Sequence, residues 1–138
     1  MQCVSLYRTV NIVQRLKHNL SSADEGALTR AIGLAEKTYQ HIDGLILNAA
    51  VIDPMGKVTA PATSLGQWKE HFDVNFFSLI TALRAASPAL RHSDLGGRVV
   101  FVSSGSATGG LGGWAPYNAS KAAMNSLCRY ATRYTNLH

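Results

Sequence analysis

Ile42-Asp43-Gly44-Leu45-Ile46-Leu47-Asn48-Ala49-Ala50 and Arg98-Val99-Val100-Phe101-Val102-Ser103-Ser104 decide the fold of this chain. Each is a short, nearly continuous apolar run that stops at small or polar residues. Strands covered on both faces read this way, because neither face meets water. The spacing Ser64-x-x-Gln67 between them is that of a capping box and predicts a long helix over Leu65–Leu90. Pro88 near its end marks a kink or the last turn, since proline lacks the N–H that a helix interior requires. Strands at 42–47 and 98–103 joined by that helix make a βαβ unit, with parallel strands and a right-handed crossover.

Working outward, Ser22-x-x-Glu25 predicts a second capping box and a helix through Ala27, Leu28, Ala31, Ile32, Leu34 and Ala35 to about Tyr39. Residues 51–63 hold Pro54, Gly56 and Pro61 and read as a loop. A last helix is expected over Pro116–Tyr134, with proline in the first turn where its missing N–H is harmless. The order is helix, strand, helix, strand, helix. Two strands do not finish a sheet, so the expected fold is α/β, a doubly wound parallel sheet in incomplete form.

The 138 residues suffice for one domain, and 46% hydrophobic with 15% charged residues describes a globular chain. No apolar run approaches the roughly 20 residues of a membrane span. The N-terminus lacks the pattern of a secretory signal, and a cytoplasmic location is the expectation. Cys3 and Cys128 are too few and too isolated for a disulfide framework or a metal site. The net charge of +5 is scattered from Arg8 to Arg133, with no basic run and no aromatics interleaved for base stacking, which argues against nucleic acid.

Chemistry enters at Tyr117-Asn118-Ala119-Ser120-Lys121, with Ser104 thirteen residues before the tyrosine. Tyrosine and lysine four apart share one helix face. An ammonium held there favours the ionised form of a neighbouring phenol, the tuning that lets tyrosine exchange a proton with a substrate oxygen. Alone, Tyr-x-x-x-Lys is common by chance, as a half-buried aromatic beside a solvated charge. Three further features give it weight: the Ser103-Ser104 pair ending a buried-type strand, the following glycines at 105, 109, 110, 112 and 113, and Asn48-Ala49-Ala50 ending the earlier strand.

In this order these residues resemble the short-chain dehydrogenase/reductase family, over roughly residues 19–135. Around Trp114-Ala115-Pro116-Tyr117 and Asp43-Gly44-Leu45-Ile46 the chain looks most like the sepiapterin-reductase-like and fungal carbonyl-reductase branch. The resemblance implies a Rossmann-type domain, NAD or NADP as cofactor, and hydride transfer between the nicotinamide and a small carbonyl or alcohol. It implies that Tyr117 is the general acid/base and that Lys121 supports it and holds the nicotinamide ribose. Ser104 would polarise the reacting oxygen. Asn75, in Phe72-Asp73-Val74-Asn75, would hold a water of the proton relay, the plainer alternative being a buried, satisfied helix amide. Asn48, Ala49 and Ala50 would lie along the adenosine side of the cofactor, with Ala50 standing where the family usually has glycine.

Two departures qualify that expectation. The family's Gly-rich turn, Thr-Gly-x-x-x-Gly-x-Gly, brings backbone amides to the cofactor pyrophosphate. Before Ile42 this chain has Gly26 and Gly33, both within a helical pattern, and residues 1–18 match nothing in the family pattern. Asn19 stands where the family places an aspartate against adenine, and lacks its charge. The domain is therefore expected to be a partial NAD(P)-binding one over 1–138, and the chain by itself neither to bind NAD(P) tightly nor to catalyse hydride transfer. The alternative is a truncated, inactive member that acts as an interaction partner, through a homo- or heterodimer made by the helices at 65–90 and 116–134.

Overall fold

The computed structural model describes residues 25–59 and 63–134. In chain order these form α1 (Glu25–Tyr39), β1 (Gly44–Leu47), α2 (Leu65–Phe72), a π-helical turn (Asp73–Phe77), α3 (Ser78–Arg91), β2 (Arg98–Phe101), α4 (Ser106–Gly109) and α5 (Ala115–Tyr134). Asn19 and the Ser22 capping box lie outside the described residues.

β1 and β2 pair in parallel, Gly44 opposite Arg98 and Leu47 opposite Phe101. They are shorter than the apolar runs that announced them. Single bonds extend the pairing at each end, from Arg98 N to Asp43 O (2.9 Å) and from Val102 N to Leu47 O (3.0 Å). Beyond these the chains diverge. Each strand has one partner among the described residues, so nothing there continues the ladder.

The strand period of two divides the sheet into two faces. Leu45, Leu47, Val99 and Phe101 point at the helices. Ile46 and Val100 point the other way, Val100 being 52% exposed. On the covered face one cluster joins Ile32 and Ala35 of α1 to Ile42 and to Ala86, Ala89 and Leu90 of α3. A second joins Leu47 to Leu79 and Ala82 of α3 and Met124 of α5. The apolar runs predicted cover on both faces; among the described residues α1, α3 and α5 cover one.

The Ser64 box closes α2 as its spacing predicts: Gln67 N donates to Ser64 Oγ (3.2 Å), and Ser64 N donates to Gln67 Oε1 (2.8 Å). The helix expected over 65–90 is interrupted by the π turn and ends one residue later than expected. Pro88 sits in the last turn of α3, the milder of its two expected places. Gly97 lets β2 begin directly against that turn, because a Cβ there would lie 2.3 Å from the Leu90 carbonyl oxygen. Within the glycine-rich stretch the chain adds the short α4, stopped by Gly110 in the left-handed conformation (φ 62°, ψ 57°).

Candidate active site

The carboxyl ends of β1 and β2 are continued by residues 48–53 and 103–105, and the first turns of α5 come to the same end of the sheet. Open α/β sheets bind ligands at this place. The start of α5 is pinned to the loop after β1, since Gly56 N donates to Gly113 O (2.7 Å) and Gly56 bridges to Trp114. The first helical bond of α5 follows at once, from Asn118 N to Trp114 O (2.8 Å).

Tyr117 and Lys121 stand one turn apart on α5, with the lysine Nζ 5.7 Å from the centre of the phenol ring. Lys121 is 3% exposed, and its Nζ donates to the Val102 carbonyl at 2.7 Å. Burial disfavours the charged form and lowers its pKa from the ordinary 10.5. Tyr117 is half-buried, and its ring meets the edges of Trp114 (5.7 Å) and His71 (6.2 Å).

Ser104 lies two residues beyond the carbonyl that anchors Lys121, so serine and lysine are tied to one strand end. The Ser104 Oγ accepts from Ser106 N at 3.2 Å, which fixes the hydroxyl at the start of α4 and leaves its own hydrogen to give. Ser103 points elsewhere, donating to Asn125 Oδ1 at 2.6 Å on the exposed side.

Asn75 occupies the middle of the π turn and is 1% exposed. Its Oδ1 accepts from Val51 N and its Nδ2 donates to Val51 O, both at 2.8 Å. Nδ2 also lies 2.8 Å from His71 Nε2 and 3.3 Å from Ser120 Oγ. The amide thus fastens the loop after β1 to the helix that crosses behind it. Asn48 and Ala50 are exposed and Ala49 half-buried beyond the end of β1.

The sequence reading did not single out His71 and Ser120, which complete this network. His71 is 1% exposed, with Nδ1 2.7 Å from Asp53 O and Nε2 3.0 Å from Ser120 Oγ. Ser120, fully buried, donates to Tyr117 O at 3.0 Å. The available signal was spacing: His71 stands four residues before Asn75, and Ser120 three after Tyr117.

The short chain dehydrogenase family matches residues 11–136 of the chain. Over 108 residues the chain is 32% identical to the benzil reductase ((S)-benzoin forming) IRC24 of Saccharomyces cerevisiae, covering 77% of this chain and 41% of that protein. The crystal structure of the short chain dehydrogenase/reductase YIR035C from the same yeast superposes with a TM-score of 0.75 at 30% identity, over 85% of this chain and 45% of that one. A short chain dehydrogenase structure from Shigella flexneri, complexed with NADP, has the same fold at 23% identity and a TM-score of 0.74, over 85% of this chain and 48% of that one. The chain therefore spans less than half the length of these relatives. With an α/β fold and the match running through both strands and the Tyr117–Lys121 turn, the chain belongs to the short chain dehydrogenase family of oxidoreductases.

Proposed function

We propose that this chain carries the acid/base half of an NAD(P)-dependent oxidoreductase that reduces a carbonyl, or oxidises the matching alcohol, on a small molecule. The observation that carries the reading is the anchoring of Lys121 at the end of β2, which holds its ammonium over the Tyr117 ring beside the segment bearing Ser104. Bound NAD(P)H supplies the hydride. In the direction of reduction the Tyr117 hydroxyl gives its proton to the carbonyl oxygen, and the Ser104 hydroxyl hydrogen-bonds that oxygen. The Lys121 ammonium stabilises the negative charge left on the phenol oxygen.

Asn48, Ala49, Ala50, Tyr117 and Lys121 are the residues placed to meet the cofactor. The small side chains at the end of β1 fit its nucleoside parts. Among the described residues ahead of β1 the glycines lie within α1, so the pyrophosphate finds no glycine turn there. Asn75 is already committed to Val51. A relay water on its side chain would use the second lone pair of Oδ1, and its larger part is to hold the frame. Among the described residues no helix is long and apolar enough to cross a membrane. Cys128 is a free, half-buried thiol, which fits a reducing, cytoplasmic setting.

A second reading, a non-catalytic pairing module, is favoured by exposed apolar residues on α2, the π turn and the open sheet face: Leu65, Phe77, Ile46 and Val100. One pair of measurements separates the two. The purified chain, and a chimera joining it to the segments of a family member with which it does not align, are titrated with NADH and NADPH and assayed on aldehydes and diketones. Turnover by the chimera, with weak cofactor binding by the chain alone, is the expected result. A folded chimera that binds cofactor without turnover would overturn the catalytic reading.

A further inference from the structure

Resting on that acid/base reading, we infer that His71 is a positioning residue of the site: a neutral imidazole, protonated on Nδ1, that locks Asn75 to the helix carrying Tyr117. Nδ1 lies 2.7 Å from the Asp53 carbonyl oxygen, which can only accept, so Nδ1 carries a hydrogen. A neutral ring then presents Nε2 as an acceptor. The orientation of Asn75 is fixed independently by Val51, whose N–H meets Oδ1 and whose carbonyl meets Nδ2. Turning the amide over would set N–H against NH2 and oxygen against oxygen.

The second Nδ2 hydrogen therefore faces His71 Nε2 at 2.8 Å. The Ser120 hydroxyl stands 3.0 Å from Nε2 and 3.0 Å from the Tyr117 carbonyl oxygen, and its one hydrogen is shared between these two acceptors. All three side chains are 1% exposed or less, so no water repairs a mismatch. A hydrogen on Nε2 would confront the Asn75 amide hydrogens, and the set is satisfied in the Nδ1–H form. Three segments meet at this ring: the loop after β1 through Asp53, the π turn through Asn75, and α5 through Ser120. Ser120 stands between Tyr117 and Lys121, and the Tyr117 ring itself abuts His71 edge-on at 6.2 Å. His71 thus sets where the Tyr117 turn lies relative to the strand ends, while its own ring nitrogens are occupied by the protein.

The test is long-range proton–nitrogen NMR on the imidazoles of the 138-residue chain near neutral pH, with exchange rates for the Val51 N–H and the Asn75 side-chain amide. His71 should be neutral, hydrogen on Nδ1 and none on Nε2. In H71L the Val51 and Asn75 protons should lose protection by about tenfold or more, the scale of a broken buried hydrogen bond, and the Tyr117 ring resonances should shift. H71Q, whose side-chain oxygen can accept in place of Nε2, should restore both. An Nε2–H or charged His71 in the native chain overturns the inference, as do Asn75 and Tyr117 resonances unmoved in H71L. Should H71L fail to fold, H71Q decides: exchange rates at Val51 and Asn75 and Tyr117 resonances close to native are expected, and their loss in a folded H71Q overturns the lock. These signals do not depend on hydride transfer. A failed turnover assay would remove the acid/base reading and leave the lock standing, whereas an Nε2–H ring would remove the lock alone.

Discussion

Lys121 is buried at a cost to stability, at the place where the proposed chemistry needs a cation. Its ammonium is buried with the Val102 carbonyl as its hydrogen-bond partner, and burial lowers its pKa below 10.5. Between that lowered value and about 10.5 the unfolded chain binds the extra proton and the folded chain does not, so stability rises with pH across this window. At neutral pH the buried charge opposes folding, and the opposition fades as pH climbs toward the unfolded value. Thermal unfolding of the native chain and K121M from pH 7 to 10 checks the sign. The native chain should gain on K121M as pH rises, and a constant gap would contradict a depressed lysine. At this scale the sequence was most legible where fixed helical spacing brings two residues together, as it does Tyr117 and Lys121. His71 was not legible, because its partners Asp53 and Ser120 come from segments that meet only in the folded chain.

Elements were legible where local signals close on themselves. The Ser64–Gln67 box is such a signal, and both its bonds form. S64A should lower unfolding free energy by about 1 kcal/mol in denaturant titration, the usual loss for a removed helix cap. The π turn was hidden inside the predicted 65–90 helix. The residues of Asp73–Phe77 suit either winding, and the extra residue is admitted by distant bonds from Val51 to Asn75. π turns of this kind often mark functional sites. N75L leaves the part-buried Val51 N–H and carbonyl without their side-chain partner and should cost about 1–3 kcal/mol in the same titration, more than S64A. Strand ends and α4 escaped for related reasons. A ladder stops where its partner diverges, and the glycine-rich stretch 105–113 carries no local helix signal although four of its residues wind into a turn of helix.

At the scale of the whole molecule, the face of the sheet that no described helix covers governs behaviour. Val100 is 52% exposed and Ile46 and Val102 are more than a third exposed, all on or beside strands whose other face is packed. Exposed apolar strands of this kind favour association. Sedimentation velocity over a range of concentrations should show the 138-residue chain self-associating. The I46T/V100T double variant should shift it toward monomer with its unfolding midpoint little changed, because neither side chain belongs to the buried clusters. Association unchanged in that variant would place the contact elsewhere, on α2 or α5. The sequence announced this face only in part: near-continuous apolar strands predicted two covered faces, and the described residues provide helices for one.

The central claim, that Tyr117 is the acid/base of a hydride-transfer site, is tested most directly in the chimera described above, by comparing carbonyl reduction in the native protein and Y117F alongside their affinities for NADH and NADPH. Loss of the phenol hydroxyl removes the proton donor and leaves the ring, the Lys121 anchor and the Asn75 frame in place. The account predicts turnover lower by at least about a hundredfold, the lower range for loss of a general acid, with cofactor affinity within a few-fold of native. Turnover retained in Y117F would contradict it.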